Sequence, residues 1–178
     1  MKVYFMRHGE SEYNVVGHIN FDPKVKVCLT VKGKDQAEKV ARKLIDIRFD
    51  AIYSSQFPRT KETAGFLAKG RGVKVKADQR LNEFKIGFEG EPVDKYYEAR
   101  EGAKSVTDFK IEGFESFLDV KERVYDFLQE LRKKKYGRVL IVTHEAVVMA
   151  ARALFNELGD EDAFTTPVKN TQYFMFDM

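Results

Sequence analysis

The side chains that could do chemistry gather where two apolar runs end. Arg7-His8-Gly9-Glu10-Ser11 follows Val3-Tyr4-Phe5-Met6, and Thr143-His144-Glu145 follows Val139-Leu140-Ile141-Val142. Short, continuous apolar runs of this kind read as strands covered on both faces, and in layered α/β proteins ligands bind outside the carboxyl ends of strands. If the two strands are neighbours, His8 and His144 meet at one rim. The residue types there favour an anion, and phosphate before carboxylate. Arg7 offers a planar fork of donors, and a helix beginning after His144 would present free backbone N–H groups. A neutral imidazole among such groups can be a nucleophile, because one ring nitrogen keeps its lone pair near physiological pH. A lone histidine at a strand end is as readily a structural hydrogen-bonding residue.

A zinc site from His8, His18 and His144 is disfavoured by ligand type. His144-Glu145-Ala146-Val147-Val148 lacks the second histidine of a metalloprotease helix, and the chain has a single cysteine, Cys28. No metal and no cofactor are expected. The lone cysteine also rules out an intramolecular disulfide and suits a reducing compartment. A net charge of +3, with basic residues spread among 28 acidic ones, provides no stripe for nucleic acid. The densest basic run, Arg132 to Lys135, falls at the end of an expected helix, where cations complement the helix dipole. Val3–Met6 is too short for a signal-peptide core or a membrane span, so a cytoplasmic protein without membrane attachment is expected.

The elements that must position these residues alternate along the chain. Further strands are expected at Ala51-Ile52-Tyr53, at Val73 and Val75, and at Tyr173-Phe174-Met175-Phe176. Ala37, Val40, Ala41, Leu44 and Ile45 form one apolar helical stripe, with Thr30 as the N-cap. A second stripe runs Phe117, Val120, Val124, Phe127, Leu128, Leu131 and ends near Gly137, and a third helix covers Ala146 to Leu154. Composition is that of an ordinary globular chain, 43% hydrophobic and 33% charged with 12 Gly and 4 Pro. These features predict an α/β fold, a three-layer α/β/α sandwich with a largely parallel sheet, in one domain over residues 1–178. The stretch from about 84 to 113 breaks the rhythm. It is expected to pass over the active site, with a short helix near Val93–Arg100 and Phe84, Phe88, Tyr96, Tyr97, Phe109 and Phe114 lining a substrate mouth or forming a small core.

Arg7-His8-Gly9-Glu10 with Asn14 resembles the signature of the histidine phosphatase superfamily, which includes the cofactor-dependent phosphoglycerate mutases. The likeness extends to Leu29-Thr30, Gly33 and Gln36-Ala37, to Ser54-Ser55-Gln56-Phe57-Pro58-Arg59-Thr60 with Thr63-Ala64, and to Leu81-Asn82-Glu83 with Gly87, Glu89 and Gly90. Gly113-Phe114-Glu115-Ser116 with Arg123 adds a fifth segment in family order. The resemblance implies that His8 is the nucleophile, that Arg7, Arg59 and His144 bind the phosphoryl oxygens, that Asn14 adds a hydrogen bond, and that Glu83 is the general acid. Glu10, Glu89 and Glu145 occupy structural or peripheral places in the pattern. One departure is Glu145-Ala146 after His144, where many relatives have two glycines. A carboxylate there opposes a dianion.

The expected activity is metal-independent hydrolysis of a small phosphate ester through a phosphohistidine on His8, closest in pattern to the broad-specificity and α-ribazole phosphatases. A phosphoglycerate mutase is the alternative within enzymes, but residues 84–113 lack the arginine pair by which mutases hold a bisphosphorylated cofactor. A non-catalytic phospho-ligand or partner-binding module is the alternative outside them, and a homodimer is left open.

Overall fold

The computed structural model describes residues 1–178. The apolar runs form β1 (Lys2–Arg7), β2 (Ala51–Ser54), β3 (Val75–Ala77), β4 (Arg138–Thr143) and β5 (Tyr173–Asp177), in the order β3-β2-β4-β1-β5. The first four are mutually parallel, and β5 runs antiparallel to β1 at one edge. Strand side chains alternate between faces, so each covered strand supplies two cores. Val3, Phe5, Val139 and Ile141 join the cluster built with α5 (Phe117–Arg132) and α6 (Glu145–Leu154). Tyr4, Met6, Leu140 and Val142 join the cluster that includes Val40 of α2 (Val31–Lys43) and Ala64 and Leu67 of α3 (Pro58–Ala68). Helix, sheet and helix thus form three layers. Each fully buried side chain such as Phe5 or Ile141 contributes about 1.5–3 kcal/mol of burial free energy.

The expected N-cap is present, with Thr30 Oγ1 accepting from the Gly33 N–H at 2.9 Å. Three expectations are corrected. Helix α5 stops at Arg132 and does not run on to near Gly137. The helix after Thr30 ends at Lys43, so Ile45 lies beyond its stripe and is 62% exposed. The third strand begins at Val75, leaving Val73 outside it. Helices α1 (Glu12–Val16), α3 and α7 (Asp160–Thr165) were not expected. In α3 the buried stripe is partly polar, comprising Arg59, Thr60, Thr63, Ala64 and Leu67, so hydrophobic periodicity carries little signal. Residues 84–113 contain α4 (Asp94–Arg100). No helix is long and apolar enough to cross a membrane.

Candidate active site

β1 and β4 are hydrogen-bonded neighbours with Arg7 opposite Thr143, so His8 and His144 leave the sheet side by side. The His8 N–H continues the ladder to the Thr143 carbonyl at 2.9 Å, and the two imidazole centroids lie 5.3 Å apart. The turn after His8 is pressed against the start of α2. A Cβ on Gly9 would collide with the Gly33 carbonyl, and one on Gly33 would collide with the Glu10 carbonyl. This mutual approach explains two glycines of the quoted motifs, because only a residue without a side chain fits each side.

His8 is 2% exposed, and its Nδ1 stands 2.6 Å from the carbonyl oxygen of Gly9. A carbonyl only accepts, so Nδ1 carries the proton and Nε2 keeps the lone pair. Arg59 Nε donates to that Nε2 at 3.1 Å. Burial first, then the charges of Arg59 and Arg7, hold the His8 pKa well below its ordinary value. The ring is neutral at physiological pH, with its unprotonated nitrogen facing a guanidinium.

Arg59, at the first turn of α3, is held on several sides. Its terminal nitrogens donate to Asn20 Oδ1 and, at 3.1 Å, to the Asn20 carbonyl, and its guanidinium lies over the Phe57 ring at 4.5 Å. Burial lowers its pKa to about 10, with Glu83 and Glu89 opposing the shift, so it remains charged. A second Arg59 contact reaches His144 Nδ1 at 3.2 Å. With Nδ1 accepting, His144 Nε2 donates to Ser55 Oγ at 2.8 Å, Ser55 Oγ to Thr60 Oγ1 at 2.7 Å, and Thr60 Oγ1 to the Phe57 carbonyl at 2.9 Å. This chain fixes the tautomer of a fully buried ring whose pKa burial, Arg59 and His8 also hold well below the ordinary value.

Glu83 follows the 3-10 turn Gln79–Leu81. One carboxylate oxygen accepts from the Phe84 N–H at 2.8 Å, and the other lies 3.6 Å from His144 Nδ1. Burial raises its pKa and outweighs the Phe84 N–H bond and the charges of Arg59 and Arg7. Its backbone is clamped from behind. Arg123 donates to the carbonyls of Arg80 at 2.6 Å and Glu83 at 3.3 Å while paired with Glu115 at 2.8 Å, and Glu115 accepts from the Lys85 N–H at 2.9 Å. The Gly113–Ser116 and Arg123 segments therefore serve Glu83.

Arg7, His8, Asn14, Arg59 and Glu83 line one cavity of about 430 Å³. His144 does not reach its wall and stands behind Arg59 and Phe57, whose ring centroid is 4.7 Å from its own. Asn14 Oδ1 is spent on the Ser11 N–H, closing the α1 capping box, and on Asn170, which leaves its Nδ2 unengaged. Glu89 accepts from Asn20, Phe21 and Asp22, and Glu10 pairs with Lys32, both structural places as expected. Glu145 is not peripheral. Its carboxylate lines the cavity, pairs with Arg7 at 2.9 Å and accepts from the Val168 N–H at 2.8 Å, while Arg7 donates to the Val168 carbonyl at 2.5 Å. The sequence reading missed Asn20 altogether and assigned no role to Ser55 or Thr60. Asn20 sits in a stretch with no periodicity to mark it, whereas the hydroxyls lay inside a quoted motif.

Paired strand-end imidazoles bridged by a buried guanidinium, on a three-layer sheet, define an α/β protein with a cationic pocket above the carboxyl ends of its strands. The model of the histidine phosphatase superfamily (branch 1) matches residues 3–178, and the chain belongs to that family. It is 33% identical to phosphoserine phosphatase 1 of Hydrogenobacter thermophilus over 159 residues, 85% of this chain and 74% of that protein. It is 32% identical over 151 residues to a Salmonella choleraesuis protein named "Probable phosphoglycerate mutase GpmB", covering 81% of this chain and 69% of that one. Among solved structures, Bacillus stearothermophilus YhfR superposes with a TM-score of 0.86 at 26% identity, over 98% of this chain and 89% of that chain.

Proposed function

We propose that the protein is a metal-independent phosphomonoesterase acting on a small phosphorylated metabolite. The observation that supports this most strongly is the state of His8, neutral, with Nδ1 tied to the Gly9 carbonyl and Nε2 unprotonated, accepting from Arg59. Nε2 attacks phosphorus, forming a P–N bond as the ester P–O bond breaks. Glu83, whose raised pKa favours the protonated form, gives its proton to the departing oxygen. Water then attacks the phosphohistidine, Glu83 takes back a proton, and the P–N bond breaks to release inorganic phosphate. Arg7 and Arg59 neutralise the phosphoryl oxygens throughout, prepositioned and needing little reorganisation. His144, whose Nδ1 accepts from Arg59, supports the phosphoryl site through that guanidinium. A cytoplasmic location suits the single cysteine.

Labelled ester quenched in acid or base provides the test. The wild type is expected to carry base-stable, acid-labile phosphate on His8, and His8→Ala to lose turnover while staying folded. Exhaustive chelation should leave the rate unchanged, and vanadate should inhibit as a mimic of the pentacoordinate state. Turnover by His8→Ala, or metal-restored activity after chelation, would overturn the mechanism. The likeness to GpmB favours a mutase as the second reading. Against it, residues 84–113 turn one cation, Arg100, into the cavity, a sparse cover for retaining a bisphosphate. Bisphosphoglycerate-dependent interconversion of phosphoglycerates without phosphate release from any ester would decide for the mutase.

A further inference from the structure

The cavity has a second end, built differently from the one around His8. Its wall is largely apolar, with Phe84, Ile86, Val93, Tyr97 and Phe164 among its side chains. Two donors stand in this wall without an acceptor in the protein. Tyr96 is 4% exposed and its hydroxyl proton has no acceptor in the protein, its polar neighbour Arg100 being able only to donate. The side chain of Arg100, in the last turn of α4, has no carboxylate or carbonyl partner, and the Tyr96 hydroxyl is its polar neighbour. Its guanidinium carbon lies 5.5 Å from the ring centroid of Tyr96, 5.4 Å from that of Tyr97 and 5.4 Å from that of Phe164. Aromatic faces hold a guanidinium by cation–π attraction while leaving its N–H edge free, a preorganised state for a fork that suits a planar acceptor. The two carboxylates of the cavity are already engaged, Glu83 with the Phe84 N–H and Glu145 with Arg7. Arg100, like Arg59, is therefore a cation of this cavity with no carboxylate partner, and it stands beside a buried donor with no acceptor.

We propose that Arg100 and the Tyr96 hydroxyl form a second anion subsite that binds a carboxylate of the substrate, so that the preferred ester joins its phosphate to a carboxylate through a partly apolar body. A carboxylate matches the fork bidentately and can take a further hydrogen bond from the phenol. A neutral polar group would leave the guanidinium charge unbalanced. The apolar wall between the two ends accounts for the body. This subsite rests on the phosphomonoesterase reading for its substrate, and on the cavity alone for its anion.

The test is a ladder of phosphomonoesters, the 3- and 4-carboxyphenyl phosphates and carboxyalkyl phosphates of increasing length, each set against its carboxamide. The amide is nearly the same size and lacks the charge. At the length that spans the cavity, the acid should exceed the amide in kcat/KM by about tenfold or more, as a charge-assisted pair allows. Arg100→Met, which keeps an apolar stem among the rings, should bring that ratio to about one, with Arg100→Lys intermediate and Tyr96→Phe lowering it in part. Calorimetric binding of the same pairs to His8→Ala reads the subsite without turnover. If no ester releases phosphate, the phosphatase reading falls while the binding ratio still decides the subsite. A ratio of one at every length in the wild type, or one unchanged by Arg100→Met, would overturn the subsite.

Discussion

The two ends of the cavity differ in how fully their polar groups are satisfied before any ligand arrives. Around His8 the side chains partner one another: Arg59 is bound by His8, Asn20 and His144, and His144 by Ser55. These residues come from strand ends, the first turn of α3 and, for Asn20, the connection between α1 and α2, and they are almost fully buried. At the far end, the groups come largely from α4 and α7, and Tyr96 and Arg100 have no acceptor within the protein. A site whose groups hold each other suits chemistry common to many esters, since preorganised charge acts on the phosphoryl group alone. A wall whose polar groups wait for a ligand suits discrimination among the organic parts, because an unpaired buried group penalises the wrong one. Substitutions near His8 should therefore lower turnover of all esters according to their chemistry, and substitutions near Arg100 should re-rank them.

The largest effect expected in sharpening this contrast is at Glu83. Glu83→Gln keeps the hydrogen bond from the Phe84 N–H and removes the proton. It should slow alkyl phosphates by about 10²–10⁴-fold, while aryl phosphates, whose leaving groups need little protonation, lose far less. Equal losses on both classes would assign Glu83 to binding. The pH profile carries the same signature. Glu83 acts as an acid only below its raised pKa, so kcat/KM for alkyl esters should fall as pH climbs through that value, and aryl esters should lack this descent. His8 must be neutral to attack, and its protonation is pushed well below the usual histidine range. No acid limb from His8 should then occur near pH 6.5. A limb near pH 6 that moves with the ester belongs to the substrate phosphate, whose second ionisation lies at about 6.

A smaller, uniform effect is expected at Asn20. Its side-chain oxygen and its carbonyl both hold Arg59, and Glu89 holds Asn20 in turn. Asn20→Ala leaves the charge of Arg59 in place but frees its orientation. kcat should drop by about tenfold for alkyl and aryl esters alike, as misplacement of a positioning group does. A loss confined to one ester class would place Asn20 in substrate selection and blur the division between the two ends.

The two ends were not equally legible. Strand ends announce themselves through apolar runs, so His8 and His144 were placed at strand ends, but that the two strands are neighbours is supplied by the β1 and β4 register. Arg59 and Glu83 were found through segment likeness alone. Periodicity could not place Arg59, because the stripe it shares in α3 is half polar. Asn20 and the Ser55–Thr60 relay act through tertiary contacts between segments far apart in sequence, and no local pattern encodes such contacts. Around α4 the aromatic residues were visible as a group but their division was not. Phe84, Tyr96 and Tyr97 reach the cavity wall, Phe109 packs on the core and Phe114 meets Phe21. Helix α4 supports few buried positions, so its sequence pattern is too short to orient Arg100.

Glu145 bridges the two descriptions, because it is a charge near the phosphate end whose partner is a proposed phosphate ligand. In the free protein its carboxylate pairs with Arg7 and accepts from the Val168 N–H, with side chains 16% and 30% exposed for Arg7 and Glu145. A phosphoryl group entering beside Arg7 must compete with that carboxylate, and it meets like-charge repulsion as it does. Glu145→Gln retains the acceptor for Val168 and removes the charge. Inorganic phosphate and vanadate should then inhibit about two- to fivefold more tightly, the span expected for a partly exposed ion pair. The gain should shrink in high salt, which screens such pairs. Thermal stability should move by less than about 1 kcal/mol, since the pair is not deeply buried. Phosphate binding weakened by Glu145→Gln would mean that the carboxylate chiefly orients Arg7 for its ligand, and the wild-type residue would then belong wholly with the preorganised group around His8.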